Sequence, residues 1–259
     1  ISLIIMIGIV SRLPNVIVRE ITLINEGVRS ILSELILLAI MFAVISFVVL
    51  LTQGTRKIPV SYAKRVVGRK VYGGQSTHIP LKVNTAGVMP IIFAQSIMFI
   101  PSTIATFFSE SNFMQTVMRW FSFDHPFYWI VFGLMIVFFT YFYTAIAFDP
   151  TQVSQQMKQH GGFIPGIRPG KKTAEYIDNI LSRVTLPGSF ALAAVAIFPY
   201  ILMQLMDVSY DLASFFGGTS LLIIVGVALD TLQQIESHLM SRHYDGFLAK
   251  GKIRGRRRI

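Results

Sequence analysis

The hydrophobic residues of this sequence lie in long continuous runs. They do not recur at the spacing of a half-buried strand or of a surface helix. Five runs are long enough to cross a bilayer as helices of about 30 Å. They cover residues 31–52, 83–108, 126–148, 184–206 and 215–235. A shorter run, 1–13, reaches only part of the way across as a helix and is predicted to be the end of a truncated membrane helix.

The composition supports this interpretation. Only 14% of the 259 residues are charged and 53% are hydrophobic, whereas about a quarter of the residues in a soluble protein are charged. The sequence therefore predicts an all-α, polytopic membrane protein. It contains no cysteine, which excludes disulfides, thiolate metal sites and a cysteine nucleophile. Because the chain opens inside an apolar run without a basic segment before it, we expect a fragment or one piece of a split chain.

Basic residues alternate between the connecting segments, and this predicts the topology. Of the 23 Lys and Arg residues, 19 fall in segments 53–82, 149–183 and 236–259. The positive-inside rule places those three segments, including the C-terminal tail, in the cytoplasm. The remaining connections are predicted to be external loops, and they cover residues 14–30, 109–125 and 207–214.

The sequence contains little that indicates catalysis. The patterns HExxH, GxSxG, GxGxxG and the phosphate-binding P-loop are missing. Asp230 is the one ionisable residue well inside a run, and an intramembrane charge is a candidate site by default. It lies near the predicted cytoplasmic end, where it can reach water, which favours a structural role. We predict no enzyme, no cofactor and no metal site.

The two long basic loops have features that favour a docking surface. Segment 53–82 interleaves Val and Tyr with Lys and Arg, which suggests a projecting strand or hairpin with a basic tip at 64–70. Segment 149–183 contains Pro165-Gly166-Ile167-Arg168-Pro169-Gly170, a rigid turn that presents one arginine. Setting topology needs only a few charges. The extra length therefore favours a surface for an acidic protein or for RNA phosphate.

The run from 83 to 108 contains Pro90, Gln95 and Ser96, which weaken a helix or need polar neighbours. Two explanations stay open for it, hydrogen bonding in a packed bundle and a helix that moves or borders water. No Asp, Glu, Lys or Arg lies near the midpoint of any run. This counts against an ion-coupled transporter and suits an apolar constriction that excludes water.

Several long motifs resemble the SecY family, the bacterial protein-conducting channels. The resemblance is to the C-terminal half, from within the fifth membrane helix onward. The first segment is similar to the fifth helix. The matching blocks further along are GRKVYGGQSTHIPLKVN, AGVMPIIFAQSI, FTYFYTAIAFDP, GGFIPGIRPGKKTAEYID and FFGGTSLLIIVGVALD. The implied fold is half of a two-fold pseudo-symmetric channel of ten helices.

The resemblance also implies roles for particular residues. Ile1, Ile5, Ile92 and Ile223 match an apolar pore ring. The runs 83–108 and 126–148 match one wall of a lateral gate, with Pro90, Gln95 and Ser96 in it. The docking residues for the SecA motor or the ribosome would be Lys64, Arg65, Arg69, Lys70 and Arg168.

On this basis the chain is expected to be half of the pore subunit of the Sec translocase in the bacterial plasma membrane. It would pass unfolded secretory polypeptides and release signal sequences sideways into lipid. The implied partners are SecE, SecG, SecA, the ribosome, the translocating preprotein, membrane lipids and the missing N-terminal half. The alternative is half of an inverted-repeat secondary transporter. A membrane-embedded hydrolase is a third possibility, and only Asp230 could serve it.

Overall fold

The computed structural model describes residues 2–27, 30–62, 65–67, 70–72, 76–108, 112–122, 125–206 and 208–250. Within them the chain forms ten helices: α1 Ser2–Val10, α2 Leu13–Asn25, α3 Ile31–Gln53, α4 Met89–Phe107, α5 Asn112–Trp120, α6 Pro126–Ala147, α7 Pro150–Gln159, α8 Lys171–Met206, α9 Tyr210–Phe215 and α10 Gly218–Lys250. Five strands accompany them: β1 Thr55–Tyr62, β2 Arg65–Val67, β3 Lys70–Tyr72, β4 Ser76–Lys82 and β5 Gly162–Phe163.

Five helical segments of the described chain are long and apolar enough to cross a membrane. They are Ile31–Gln53, Met89–Phe107, Pro126–Gln159, Lys171–Met206 and Asp211–Met240. Each corresponds to one of the five predicted runs. A membrane helix satisfies its own backbone hydrogen bonds, which is why runs of this length fold as helices in lipid. The protein is therefore a mostly helical, multi-pass membrane protein.

The two ends of the helix bundle differ in structure. We call one end the sheet face, because the strands connect the end of α3 to the start of α4, and β5 lies between α7 and α8. We call the other end the far face, where the short helices α2, α5 and α9 connect the longer ones. The main core lies between the two faces and is built from buried residues of α3, α4, α6, α8 and α10.

Helix α4 begins later than predicted. The run 83–108 was expected to be helical throughout, but the helix starts at Met89, with Pro90 in its first turn. A proline is well tolerated there, because the first amides of a helix have no partner within it. Pro90 therefore does not weaken the helix at this position. Pro101 is the proline inside α4.

Segments expected as loops also contain regular structure. The segment 14–30 is largely helix α2, and 109–125 contains α5. The segment 149–183 contains α7, β5 and the start of α8, which begins at Lys171 and not at 184. Helix α10 likewise continues beyond 235 to Lys250, into the predicted tail. These elements are polar or amphipathic, so a search for apolar runs does not find them.

Candidate functional site

Three of the four predicted pore residues line one cavity. Ile5 of α1, Ile92 of α4 and Ile223 of α10 all contribute to a cavity of about 440 Å³. These helices are far apart in the sequence, so only the fold brings the three side chains together. Ile1, the fourth predicted member, lies outside the described residues.

The cavity lies directly beside the main core, and neighbouring residues on the same helices contribute to each. Ile92 is 41% exposed, whereas Ile91 is 1% exposed and belongs to the main core. On α10 the buried core residue Leu222 lies beside the half-buried Ile223, and both line the cavity. Adjacent residues on a helix point about 100° apart, so one can anchor the helix while the next is free to face an opening. Ile5 is 47% exposed, so its side chain is also free to face the opening.

The same cavity has a polar rim at the sheet face. Lys82, Asn84 and Asp230 line it together with Thr85. The Thr85 hydroxyl hydrogen-bonds the Thr144 hydroxyl over 3.3 Å. The side-chain oxygen of Asn84 is buried and accepts no hydrogen bond within the described protein. An apolar group of isoleucines thus adjoins a rim of polar and charged groups.

Asp230 is exposed at this rim, in the middle part of α10. Lys82 and Asn84 were not singled out from the sequence. The position of Asn84 in the short connection between a strand and an apolar helix was the signal that could have identified it.

The three predicted gate residues lie on α4 but have different surroundings. Pro90 is buried in the first turn. Ser96 is exposed, and its hydroxyl donates to the carbonyl oxygen of Ile92 over 2.8 Å, so it needs no partner from another helix. Gln95 is exposed and lines a second cavity of about 190 Å³ with Phe132 and Tyr200.

The first basic loop is a β-hairpin, as the sequence suggested. Strands β1 and β4 pair antiparallel from Thr55↔Lys82 to Ser61↔Ser76. Strands β2 and β3 pair from Arg65↔Tyr72 to Val67↔Lys70. Of the predicted docking residues here, Lys64 and Arg69 lie outside the described residues. Arg65 and Lys70 are described by their backbone only.

The two basic loops are joined into one unit. Strand β1 also pairs with β5 of the second loop, through Ser61↔Phe163 and Tyr62↔Gly162. Beneath this sheet lies a small hydrophobic core, which we call the sheet core. Its buried members are Ile58, Val60, Leu81, Met157, Ile164 and Ile177. The sheet core ties both loops to the start of α8.

The turn that carries Arg168 is held by hydrogen bonds. Thr173 Oγ1 donates to the carbonyl oxygen of Arg168 over 2.9 Å. Ser154 Oγ donates to the carbonyl oxygen of Gly170 over 2.7 Å. Gly166 and Gly170 have φ values of 84° and 108°, which only glycine adopts readily. The exposed Arg168 side chain is therefore presented from a fixed backbone.

Within the described chain, no group of three His, Asp or Glu residues is placed to hold a metal ion. The features that remain are an apolar cavity with a polar rim and a basic surface on a rigid support.

A family model and individual relatives point to the same protein family. The family model described as SecY matches residues 1–232. The protein translocase subunit SecY of Thermotoga maritima is 44% identical over 257 residues, covering 99% of this chain and 57% of that protein. The SecY subunit of Escherichia coli is 42% identical over 258 residues, with coverages of 98% and 57%. The chain thus spans a little over half the length of these relatives.

Solved structures show the same fold at low sequence identity. One, described as showing that the plug domain of SecY stabilises the closed state of the channel, superposes with a TM-score of 0.57 at 15% identity. It covers 93% of this chain and 60% of that chain. Another, described as a protein-conducting channel, gives 0.51 at 14% identity, with coverages of 87% and 54%. With its fold, its membrane helices and nearly its whole length matched in this way, the chain belongs to the SecY family.

Proposed function

We propose that this chain forms the C-terminal half of a protein-conducting channel, which passes unfolded secretory polypeptides across the bacterial plasma membrane. The observation that supports this most directly is the convergence of Ile5, Ile92 and Ile223 on one cavity. Flexible apolar side chains around an opening exclude water and ions when nothing passes, yet yield to a translocating chain. Ile1 and residues of an N-terminal half would complete the ring.

The chain catalyses no reaction in this proposal, and the driving energy comes from partners. SecA or the ribosome would dock on the joined basic loops, through Lys64, Arg65, Arg69, Lys70 and Arg168. Attraction between a basic surface and an acidic protein face or RNA speeds association at low salt. Because β1 pairs with both β4 and β5, force applied to either loop would reach the same sheet.

Helices α4 and α6 would form one wall of a lateral gate, with Pro90, Gln95 and Ser96 on α4. Through this gate signal sequences and membrane helices would pass into lipid. SecE, SecG and an N-terminal half are the remaining partners. The distribution of Lys and Arg supports a cytoplasmic sheet face and C-terminus.

The test uses the absence of cysteine from the chain. A single cysteine at Ile92 is placed in a complete, otherwise cysteine-free channel, together with a secretory chain stalled in transit. The expected result is a strong crosslink that requires a signal sequence. Ile130, on the exposed surface of α6, is the matched control and should not react with the stalled chain.

Two outcomes would contradict the pore assignment. One is silence at Ile92 while other positions of an active complex react, and the other is equal crosslinking at Ile92 and Ile130. If no position reacts and transport instead depends on a coupled ion, the transporter alternative returns. Loss of function in a folded Asp230→Asn variant would revive the hydrolase, but the family match favours the channel over both.

A further inference from the structure

Helix α5 is strongly amphipathic, and the proposed function gives it no role. Its apolar side chains fall within one arc of the helix, at about 100° per residue. They are Phe113, Met114, Val117, Met118 and Trp120. The opposite arc holds the polar residues Gln115, Thr116 and Arg119. A nine-residue helix with such complete segregation indicates a boundary between an apolar and a polar phase.

One edge of the apolar arc faces the protein and the other does not. Met118 is 40% exposed, but it lines a cavity of about 280 Å³ together with Met98 and Phe99 of α4, so this edge borders the bundle. At the other edge Phe113 is 73% exposed and Trp120 is 47% exposed. Two large exposed apolar side chains on one edge of a short helix need an apolar environment that the described chain does not provide.

This exposed edge is continuous with the outer surface of a membrane helix. The Trp120 ring contacts Phe127, in the first turn of α6, edge-on with centroids 5.0 Å apart. From there an exposed ridge follows α6 at every fourth residue: Ile130, Leu134, Phe138, Phe142 and Ile146. A ridge of large apolar residues along a spanning helix contacts lipid, and Trp120 lies at its far-face end.

We propose that α5 is an interfacial helix that lies in the headgroup layer of the bilayer on the far face, with Phe113 and Trp120 inserted among the acyl chains. Tryptophan is enriched at this depth because its ring is apolar and its N–H is polar. Arg119, on the polar arc, points towards water and lipid phosphate. The partner of this surface is lipid, not another protein.

The anchor has a mechanical consequence. Because α5 connects the far ends of α4 and α6, lipid contact at Phe113 and Trp120 holds both helices at a fixed depth. Neither helix can then slide along the membrane normal without removing these side chains from the acyl region. The helices remain free to tilt relative to the membrane normal.

The test measures the depth of single nitroxide labels in the complete, cysteine-free channel, reconstituted in phospholipid nanodiscs. Labels are placed at Phe113, at Arg119 as the matched control on the opposite arc, and at Phe138 as a mid-membrane reference. Collision with oxygen, which concentrates in lipid, is compared with collision with a water-soluble nickel chelate. The oxygen-to-nickel ratio should be several-fold higher at Phe113 than at Arg119, and between the values at Arg119 and Phe138.

Three results would overturn the proposal. Equal ratios at Phe113 and Arg119 would place α5 in water. Low access of both reagents at Phe113 would mean that a protein covers this edge. A ratio at Phe113 equal to that at Phe138 would place the helix in the hydrocarbon core and not at the interface. Phe113→Ser with the label at Thr116 provides a second measurement, since losing the anchor should raise nickel access there.

Discussion

Gly188 of α8 provides a sharp test of how the sheet face is attached to the bundle. A Cβ at this position would lie 2.6 Å from the carbonyl oxygen of Val83 and 3.1 Å from its Cγ1. Val83 follows strand β4, and its amide donates to the carbonyl oxygen of Gly54 over 2.9 Å. The oxygen that a new methyl group would meet therefore belongs to a fixed backbone, so the helix or the sheet must shift.

The size of the effect follows from two opposing contributions. Overpacking of a well-packed site costs about 1–3 kcal/mol, whereas alanine stabilises a helix over glycine by about 1 kcal/mol. Gly226→Ala in α10 is the matched control, because its added Cβ meets no atom within 4 Å. Only the control receives the helix gain without the clash. Gly188→Ala should therefore be about 1–3 kcal/mol less stable than Gly226→Ala.

The assay is thermal unfolding of the complete channel in one detergent, with both variants measured side by side. Gly188→Ala should unfold several degrees below Gly226→Ala. Adding Val83→Ala removes the Cγ1 contact but leaves the carbonyl oxygen, so it should not restore stability. Equal midpoints for the two glycine variants, or full rescue by Val83→Ala, would refute the close contact between α8 and this backbone.

Four further outcomes are expected. Ile164→Ala should cost about 2–5 kcal/mol, because Ile164 is buried in the sheet core; the second loop should become sensitive to protease while the membrane helices stay protected. Asp149→Ala should lower the thermal unfolding midpoint slightly, since the carboxylate of Asp149 caps α7 by accepting from the Thr151 amide over 2.8 Å. Asp211→Asn should change stability by less than about 1 kcal/mol, because both partners of the Arg19–Asp211 ion pair are more than half exposed; a larger loss that persists in high salt would contradict this. Ile92→Gly should increase ion leakage through a resting channel in planar bilayers, whereas Ile130→Gly should not, since Ile130 lies on the outer surface of α6.

The sequence predicted the membrane helices well, because lipid leaves an apolar run no other economical backbone structure. It was less informative about the residues at which these helices begin, because the turns before them also decide this. The run 83–108 predicted one helix, yet α4 starts only at Met89, with Pro90 in its first turn, since the residues before Met89 form a turn at the end of the hairpin. A run of apolar residues does not indicate where the first helical hydrogen bond forms.

The candidate site was predictable only in part. Ile5, Ile92 and Ile223 came from a family resemblance, because an isoleucine facing an opening and one facing lipid look the same in sequence. Asn84 was missed, since its surroundings depend on residues more than a hundred positions away. The pairing of β1 with β5 could not be foreseen either, because β5 has only two residues.

That pairing changes how the genetics of the two basic loops should be interpreted. With β1 between β4 and β5, substitutions in one loop and in the other alter a single body. Their effects should not add, because residues that share one packed unit do not contribute independently. A change in β1 would thus repair a damaged Arg168 turn, without any restored contact to the proposed docking partner. Second-site suppressors that link the two loops would then show how rigidly the two loops are joined. They would not identify what binds to them.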